Sequence, residues 1–79
     1  MHTVYVLKSE KDNNLYIGCT SDIASRLEYH NKGRVRSTKS RLPMSLIYQE
    51  QYSDKYLAFA KERYYKTASG KRELKSKLI

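Results

Sequence analysis

The chain has 79 residues, enough for one small domain with a thin core. Sixteen Lys and Arg against eight Asp and Glu give a net charge of +8, which favours a polyanionic partner, nucleic acid before an anionic membrane. A solubilising surface is the alternative that the charge alone leaves open. One cysteine excludes an internal disulfide and a Cys-x-x-Cys metal site, and fits a reducing, cytoplasmic location. We expect no membrane segment, because no stretch is apolar for long enough and the first residues lack a signal-peptide pattern.

The first eighteen residues have the pattern of a β-hairpin. Thr3 to Leu7 is short, apolar and rich in β-branched residues, and a polar segment with turn signals separates it from a second apolar run, Leu15 to Gly18. We expect Gly18 to end the second strand, because glycine turns the backbone without a steric cost. The hairpin would place Tyr5 and Tyr16 on adjacent strands.

A first helix is predicted over Asp22 to Asn31. A Thr/Ser/Asp cluster supplies its N-cap, and Lys32-Gly33 is a stop signal, with a cation in the last turn and then a glycine. The apolar residues of this segment share one face with His30, and Arg26 lies four residues before His30. The corner between the second strand and this helix therefore gathers a phenol, a guanidinium and an imidazole.

The segment 33–45 lacks apolar periodicity and predicts a flexible loop. Its cations alternate with Ser and Thr, a pattern that suits contact with phosphates. A solvated loop is the alternative, but in a chain of this charge we favour binding. The predicted nucleic-acid-binding residues are Lys32, Arg34, Arg36, Lys39, Arg41 and, from the last helix, Lys71.

The second half of the chain predicts a strand and two helices. Leu46 to Tyr52 alternates loosely and reads as a third strand, at the edge or the centre of the sheet. Ser53-Asp54 caps a second helix that runs to about Lys66. Ala68-Ser69-Gly70 is expected to break it, before a last short helix over Lys71 to Leu78. The buried side of the second helix is predicted to consist of Leu57, Ala60, Lys61 and Tyr64, widened by Ala58 and Tyr65, with Glu62 at its border.

The borders of these apolar faces hold residues suited to phosphoryl chemistry. A carboxylate can hold a divalent metal and a guanidinium can neutralise charge on a phosphate, whereas a tyrosine with a pKa of ~10 needs a cation or imidazole nearby to act as a base. Each residue also has a structural reading, such as a half-buried strand aromatic or a plain ion pair. The residues alone therefore establish only a basic α+β domain that binds nucleic acid. The candidates are Tyr5, Tyr16, Arg26, His30 and Glu62.

The order and spacing of these residues resemble the GIY-YIG endonuclease superfamily. Thr3-Val4-Tyr5 followed by Tyr16-Ile17-Gly18 is similar to its paired signature, and the two tyrosines are eleven positions apart, as the family commonly has them. Arg26 stands eight residues after Gly18, where the family places its helix-one arginine, and Glu62 falls where the family carries its metal-binding glutamate. Further segments resemble the small stand-alone members, so that the similarity spans nearly the whole chain: His30-Asn31-Lys32-Gly33, Thr38-Lys39 and Tyr48-Gln49-Glu50.

The resemblance implies an α+β fold, a three-stranded antiparallel sheet flanked by about three helices, as a single domain over 1–79. It implies hydrolysis of DNA phosphodiester bonds with one divalent ion, Mg²⁺ or Mn²⁺, in DNA repair or processing, since the same domain begins the incision subunit of bacterial excision repair. By position, Glu62 would bind the metal and Arg26 would stabilise charge on the scissile phosphate. Tyr5 and Tyr16 would position or deprotonate the attacking water, assisted by His30.

The sequence also departs from the pattern. Thr3 replaces the first glycine of the signature, and Cys19 stands where the excision-repair subunit has a lysine. No residue of this chain matches an asparagine that occurs late in that subunit's domain. A nucleic-acid-binding module with weak or no catalysis is thus the alternative to a nuclease, and a protein-interaction domain is the third reading. For a chain this short, we expect branched or single-stranded DNA as the substrate and targeting by a separate protein. We also expect a monomer or a weak homodimer.

Overall fold

A three-stranded antiparallel sheet with helices on both faces forms the protein. The computed structural model describes residues 1–78. The strands, in the spatial order β2-β1-β3, are β1 (His2–Ser9), β2 (Leu15–Thr20) and β3 (Met44–Tyr52). The helices are α1 (Ile23–Asn31), α2 (Lys55–Tyr65) and α3 (Ala68–Lys77), with a 3₁₀ turn over Lys39–Arg41. The predicted α+β fold is confirmed, and the third strand lies at an edge.

The central strand β1 divides the core into two halves. Its residues Thr3 to Leu7 are all buried, and alternate side chains point to opposite faces of the sheet. On one face Val4 and Val6 pack with residues of α2 and α3. On the other face Tyr5 and Leu7 pack with the apolar residues of α1. The continuous apolar run that predicted this strand reflects its burial on both faces.

Gly18 lies inside β2, so the prediction that it ends the strand is wrong. It pairs with Tyr5 across the antiparallel ladder, and β2 continues to Thr20. A Cβ at position 18 would collide with the hydroxyl and Cζ of Tyr5. The glycine is therefore explained by the close approach of the Tyr5 ring to the backbone and not by a turn.

Helix α1 begins and ends as predicted. The Asp22 side chain accepts a hydrogen bond from the Ser25 backbone N–H at 3.1 Å, and Gly33 follows the helix with a φ of 75°. The Asn31 side chain bonds both backbone groups of Met44, at 2.9 and 3.1 Å. These bonds tie α1 to the start of β3, which begins at Met44, two residues before the predicted start.

The segment between α1 and β3 is more structured than the predicted flexible loop. Thr38 is fully buried, and residues 39–41 form the 3₁₀ turn. The Arg41 carbonyl accepts a hydrogen bond of 2.6 Å from the Ser9 hydroxyl at the end of β1. The segment lacks apolar periodicity, so its sequence does not predict that it is anchored to the sheet.

The buried face of α2 differs from the prediction. Leu57 is 58 % exposed and Tyr64 37 % exposed, so these two predictions are wrong, whereas Ala58 and Tyr65, predicted to widen the buried side, are fully buried. Apolar residues lie all around this helix, so their spacing does not define one stripe. The small Ala58 side chain allows α2 to lie close to the sheet.

The boundary between α2 and α3 also differs. Helix α3 begins at Ala68, and the hydroxyl of its N-cap Thr67 accepts from the Gly70 backbone N–H at 3.0 Å. Gly70 therefore lies in the first turn of α3 and does not break a helix. A Cβ at this position would collide with the Tyr64 carbonyl, so glycine is needed where the two helices touch.

A carboxylate surrounded by tyrosines joins β3 to both C-terminal helices. The Glu50 side chain is 15 % exposed and accepts hydrogen bonds from the hydroxyls of Tyr48, Tyr52 (2.5 Å) and Tyr65 (2.6 Å) and from Lys77 Nζ (3.1 Å). Because these donors come from β3, α2 and α3, this Glu50 cluster links all three elements.

Candidate active site

A buried hydrogen-bonded chain links β1, α1 and the segment after α1. The Tyr5 hydroxyl lies 3.1 Å from His30 Nε2, and His30 Nδ1 lies 2.9 Å from the Thr38 hydroxyl. All three residues are at most 1 % exposed. Tyr5 is positioned by the centre of the sheet, His30 by the last turn of α1, and Thr38 by the turn that follows.

The network fixes the tautomer of His30. The Thr38 hydroxyl donates to the Val35 carbonyl at 3.4 Å, so it accepts from Nδ1–H of the imidazole. Nε2 is then unprotonated and accepts from the Tyr5 hydroxyl. Burial, together with the nearby Arg26 charge, lowers the pKa of His30. A neutral imidazole is therefore aimed at the Tyr5 proton.

Tyr16 and Arg26 lie beside this chain at its more exposed end. The Tyr16 ring is 4.9 Å from the His30 ring and 6.4 Å from the Tyr5 ring, between centroids. Burial raises the pKa of the Tyr5 hydroxyl, and the Arg26 guanidinium opposes that rise. The Tyr5 hydroxyl in turn raises the pKa of Arg26, to which Tyr16 also contributes. The Arg26 guanidinium therefore interacts with the hydroxyls of both tyrosines. Of the two, Tyr16 is the partly exposed one.

Glu62 is positioned by α2 on the side of β2. Burial raises the pKa of the Cys19 thiol, and the Glu62 charge adds to this effect. The same carboxylate also contributes to the raised pKa of Tyr5. The Glu62 side chain is 22 % exposed and binds Lys66 Nζ at 2.9 Å. As predicted, it lies at the border of the buried face.

The residues present are compatible with one hard divalent ion. Within residues 1–78, no three His, Cys, Asp or Glu side chains form a group that could hold a metal. Mg²⁺ does not need such a cage, since it commonly keeps several waters and binds one or two carboxylates together with substrate phosphates. The partly exposed Glu62 carboxylate is a donor of this kind, although Lys66 already occupies one of its oxygens.

The predicted nucleic-acid-binding cations divide into two groups. Lys32, bonded to Glu28 at 2.7 Å, lines a shallow groove along α1 with Arg34, and Arg36 and Lys39 are exposed nearby in sequence. Arg41 instead folds against the hairpin turn and shares a separate cavity with Lys71. The structure therefore does not bring the six cations together on one surface.

Sequence reasoning missed two contributors to this site. The sequence offers Thr38 only within the segment Thr38-Lys39 that resembles the family, with no role, and it predicts a turn at Gly18 instead of the close approach of the Tyr5 ring. The alternation of Thr38 with cations carries no sign of burial. The pairing of Tyr5 with Gly18, by contrast, follows from the hairpin register once the turn is fixed.

Comparisons with known proteins agree with this architecture. Residues 1–75 match the family model described as the GIY-YIG catalytic domain. A UPF0213 protein from Staphylococcus haemolyticus is 43 % identical over 75 residues, which are 94 % of this chain and 90 % of that protein, and one from Staphylococcus aureus (strain Mu3) is 39 % identical with the same coverage.

A solved structure gives the same result. The solution NMR structure of the UPF0213 protein BH0048 from Bacillus halodurans matches with a TM-score of 0.59 and 29 % sequence identity, covering 95 % of this chain and 82 % of that one. In the part of the chain that the structure describes, no helix is long and apolar enough to cross a membrane. The fold, the signature residues and the match over 1–75 together show that the chain belongs to the GIY-YIG family.

Proposed function

We propose that this protein is a metal-dependent endonuclease that hydrolyses phosphodiester bonds in DNA, with residues 1–79 acting as a single nuclease domain. The observation that carries the proposal is the Tyr5–His30–Thr38 chain beside Tyr16 and Arg26. A neutral imidazole, two phenols and a guanidinium in one place are the groups that water activation and phosphate binding require.

Arg26 is the residue proposed to bind the scissile phosphate. Its guanidinium stays charged at all physiological pH values, and the adjacent Tyr5 raises its pKa further. Negative charge accumulates on the phosphoryl oxygens in the transition state, where a fixed cation stabilises it more than in water. Arg26 also stacks on Tyr29, with 5.2 Å between the guanidinium carbon and the ring centroid, which restricts its orientation.

The two tyrosines are proposed to have different roles. Tyr16 is partly exposed and orients the attacking water, whereas Tyr5 is 1 % exposed and lies behind it. The proton released by the water has an acceptor in His30, reached through the Tyr5 hydroxyl that already donates to Nε2. Thr38 is a positioning residue, because it holds the imidazole in the tautomer that accepts this proton.

Glu62 is the proposed ligand of the divalent ion, Mg²⁺ or Mn²⁺. When bound, the ion supplies Lewis-acid polarisation of a phosphoryl oxygen. Displacement of Lys66 from the carboxylate would free both oxygens for this role. The substrates proposed are branched or single-stranded DNA in repair or processing in the cytoplasm, with targeting by a partner protein.

The test compares the wild-type protein with Glu62→Gln on labelled single-stranded, duplex and flap DNA, with Mg²⁺, Mn²⁺ or chelator. We expect cleavage that requires the ion and is lost in the variant. Glu28→Gln is the matched control, since Glu28 also forms an i,i+4 pair with a lysine, Lys32, but lies in α1. Equal cleavage by the two variants would contradict the proposed role of Glu62.

A nucleic-acid-binding module without catalysis is the second candidate. The ion pair between Glu62 and Lys66 favours it, because that lysine neutralises the proposed metal ligand. Cys19 beside Glu62, in place of a cation, also favours it. Salt-dependent binding of DNA by the wild-type protein, without any ion-dependent product, would select this candidate.

A further inference from the structure

A basic cavity lies on the sheet face opposite Tyr16, between the hairpin turn and α3. Its volume is about 540 Å³. Three of its lining residues are cations, Arg41, Lys71 and Lys75, whereas Asp12 is the one lining anion in the described residues. Asn13 and Asn14, which carry amide donors, also line it. A cavity with excess positive charge and amide donors suits a phosphate group.

Arg41 has hydrogen-bonding capacity that the described residues leave unused. Its side chain is 22 % exposed, and Nη2 donates to the Leu15 carbonyl across a long 3.4 Å. Nε has no acceptor in hydrogen-bonding geometry within residues 1–78, although Asp12 Oδ2 lies 3.4 Å away. Nε is itself buried, but a guanidinium has five N–H donors, so the remaining N–H groups of the partly exposed Arg41 side chain are the ones that can bind an oxyanion.

The cavity begins next to the candidate active site. Leu15 and Ile17 line it, and they flank Tyr16 in β2. Successive side chains of a strand point to opposite faces of the sheet, and Leu15 and Ile17 pack on one face whereas Tyr16 packs on the other, so the cavity and Tyr16 lie on opposite faces of the same strand. Since β2 is an edge strand, a nucleic-acid strand bound at Tyr16 can pass over its free edge to the cavity.

We propose that this cavity binds a phosphate group of the nucleic-acid strand, next to the phosphate held at Tyr16 and Arg26. The inference rests on the nucleic-acid binding in the proposed function and assigns a phosphate subsite to Arg41, Lys71 and Lys75. These three cations are distinct from Lys32 and Arg34 along α1, which the proposed phosphate contact does not use.

The experiment measures binding of a labelled single-stranded oligonucleotide by fluorescence anisotropy as a function of salt, with chelator present to prevent cleavage. The test variant is Lys71→Ala with Lys75→Ala. The control is Lys55→Ala with Arg72→Ala, which removes the same charge from exposed positions outside the cavity. We expect the test variant to bind roughly tenfold more weakly at low salt, with a salt slope smaller in magnitude by about 0.7, for the loss of one phosphate contact.

Two further arms identify the source of the phosphate. An equal loss for oligonucleotides with a 5′-hydroxyl and a 5′-phosphate indicates an internal backbone phosphate, whereas a loss confined to the phosphorylated oligonucleotide indicates a terminal one. Inorganic phosphate should displace the labelled oligonucleotide less effectively from the test variant than from the control variant. If test and control variants bind with the same affinity and salt slope, the inference is wrong. Binding without cleavage by the wild-type protein would instead refute the nuclease and leave this subsite in place.

Discussion

Replacing Glu50 with glutamine tests the contribution of the Glu50 cluster to stability. Burial alone would raise the pKa of Glu50, but the hydrogen bonds from Tyr48, Tyr52, Tyr65 and Lys77 outweigh it and lower the pKa from 4.5 to about 2. A shift of this size corresponds to roughly 3 kcal/mol. Screening by solvent reduces it, and we expect Glu50→Gln to lower the free energy of unfolding by about 2 kcal/mol at pH 7.

The pH dependence gives this prediction its specific signature. The folded-state pKa lies below the unfolded value, so the stabilisation is complete above pH 4.5 and is lost as the pH falls towards 2. Urea unfolding of both proteins, followed by circular dichroism from pH 7 to pH 2.5, should therefore show a difference that shrinks in this range. For a 79-residue chain, about 2 kcal/mol is a large part of a total on the order of 4–12 kcal/mol.

Glu28→Gln provides the control for a simple loss of charge. The Glu28–Lys32 pair is 65 % and 59 % exposed, so its removal should change the free energy of unfolding much less than Glu50→Gln does. Equal effects of the two substitutions at pH 7 would refute the reasoning. A difference between wild type and Glu50→Gln that stays constant from pH 7 to pH 2.5 would refute it as well.

Three further predictions concern the buried chain of the candidate site. Gly18→Ala should lower the free energy of unfolding by about 1–3 kcal/mol, measured in urea, because the new Cβ meets the Tyr5 ring; unchanged stability would contradict that contact. Thr38→Val should reduce cleavage more than tenfold by removing the acceptor of His30 Nδ1, whereas Thr38→Ser should retain it. Because burial lowers the pKa of His30, its contribution to stability is complete above pH 6.5 and is lost as the pH falls below that value. His30→Gln should flatten this part of the urea-midpoint profile, and an unaltered profile would argue against a neutral buried imidazole.

The elements of the fold were predictable where the local pattern had a single solution. The apolar run Thr3 to Leu7 predicted the central strand, and the Thr/Ser/Asp cluster predicted the start of α1, where the structure selects Asp22 as the cap. Prediction failed where tertiary contacts decide. Gly70 resembles a helix breaker in the sequence, yet it lies within α3 because only glycine fits against the Tyr64 carbonyl.

The candidate site follows the same division. Tyr5, Tyr16, Arg26 and His30 were predicted as one group, and the structure brings them together. The sequence does not predict that Tyr5 is buried and Tyr16 partly exposed. Two residues on neighbouring strands of a hairpin can be buried to different extents by the helix that packs on that face. Arg41 was grouped with its sequence neighbours, but its contacts with the hairpin turn depend on the long-range bond between Ser9 and its carbonyl.

The arrangement of polar groups explains how a thin core holds such a site. Tyr5, His30 and Thr38 are fully buried, and each has a hydrogen-bond partner within the chain, so none adds the cost of an unpaired polar group. Tyr16, Arg26 and Glu62 lie at the border, where a substrate phosphate can reach them. In the proposed mechanism, a substrate meets only the border residues, and the inner three determine where a proton can go. Substitutions of the inner residues should therefore affect stability and activity together, and substitutions at the border should affect activity with little change in stability.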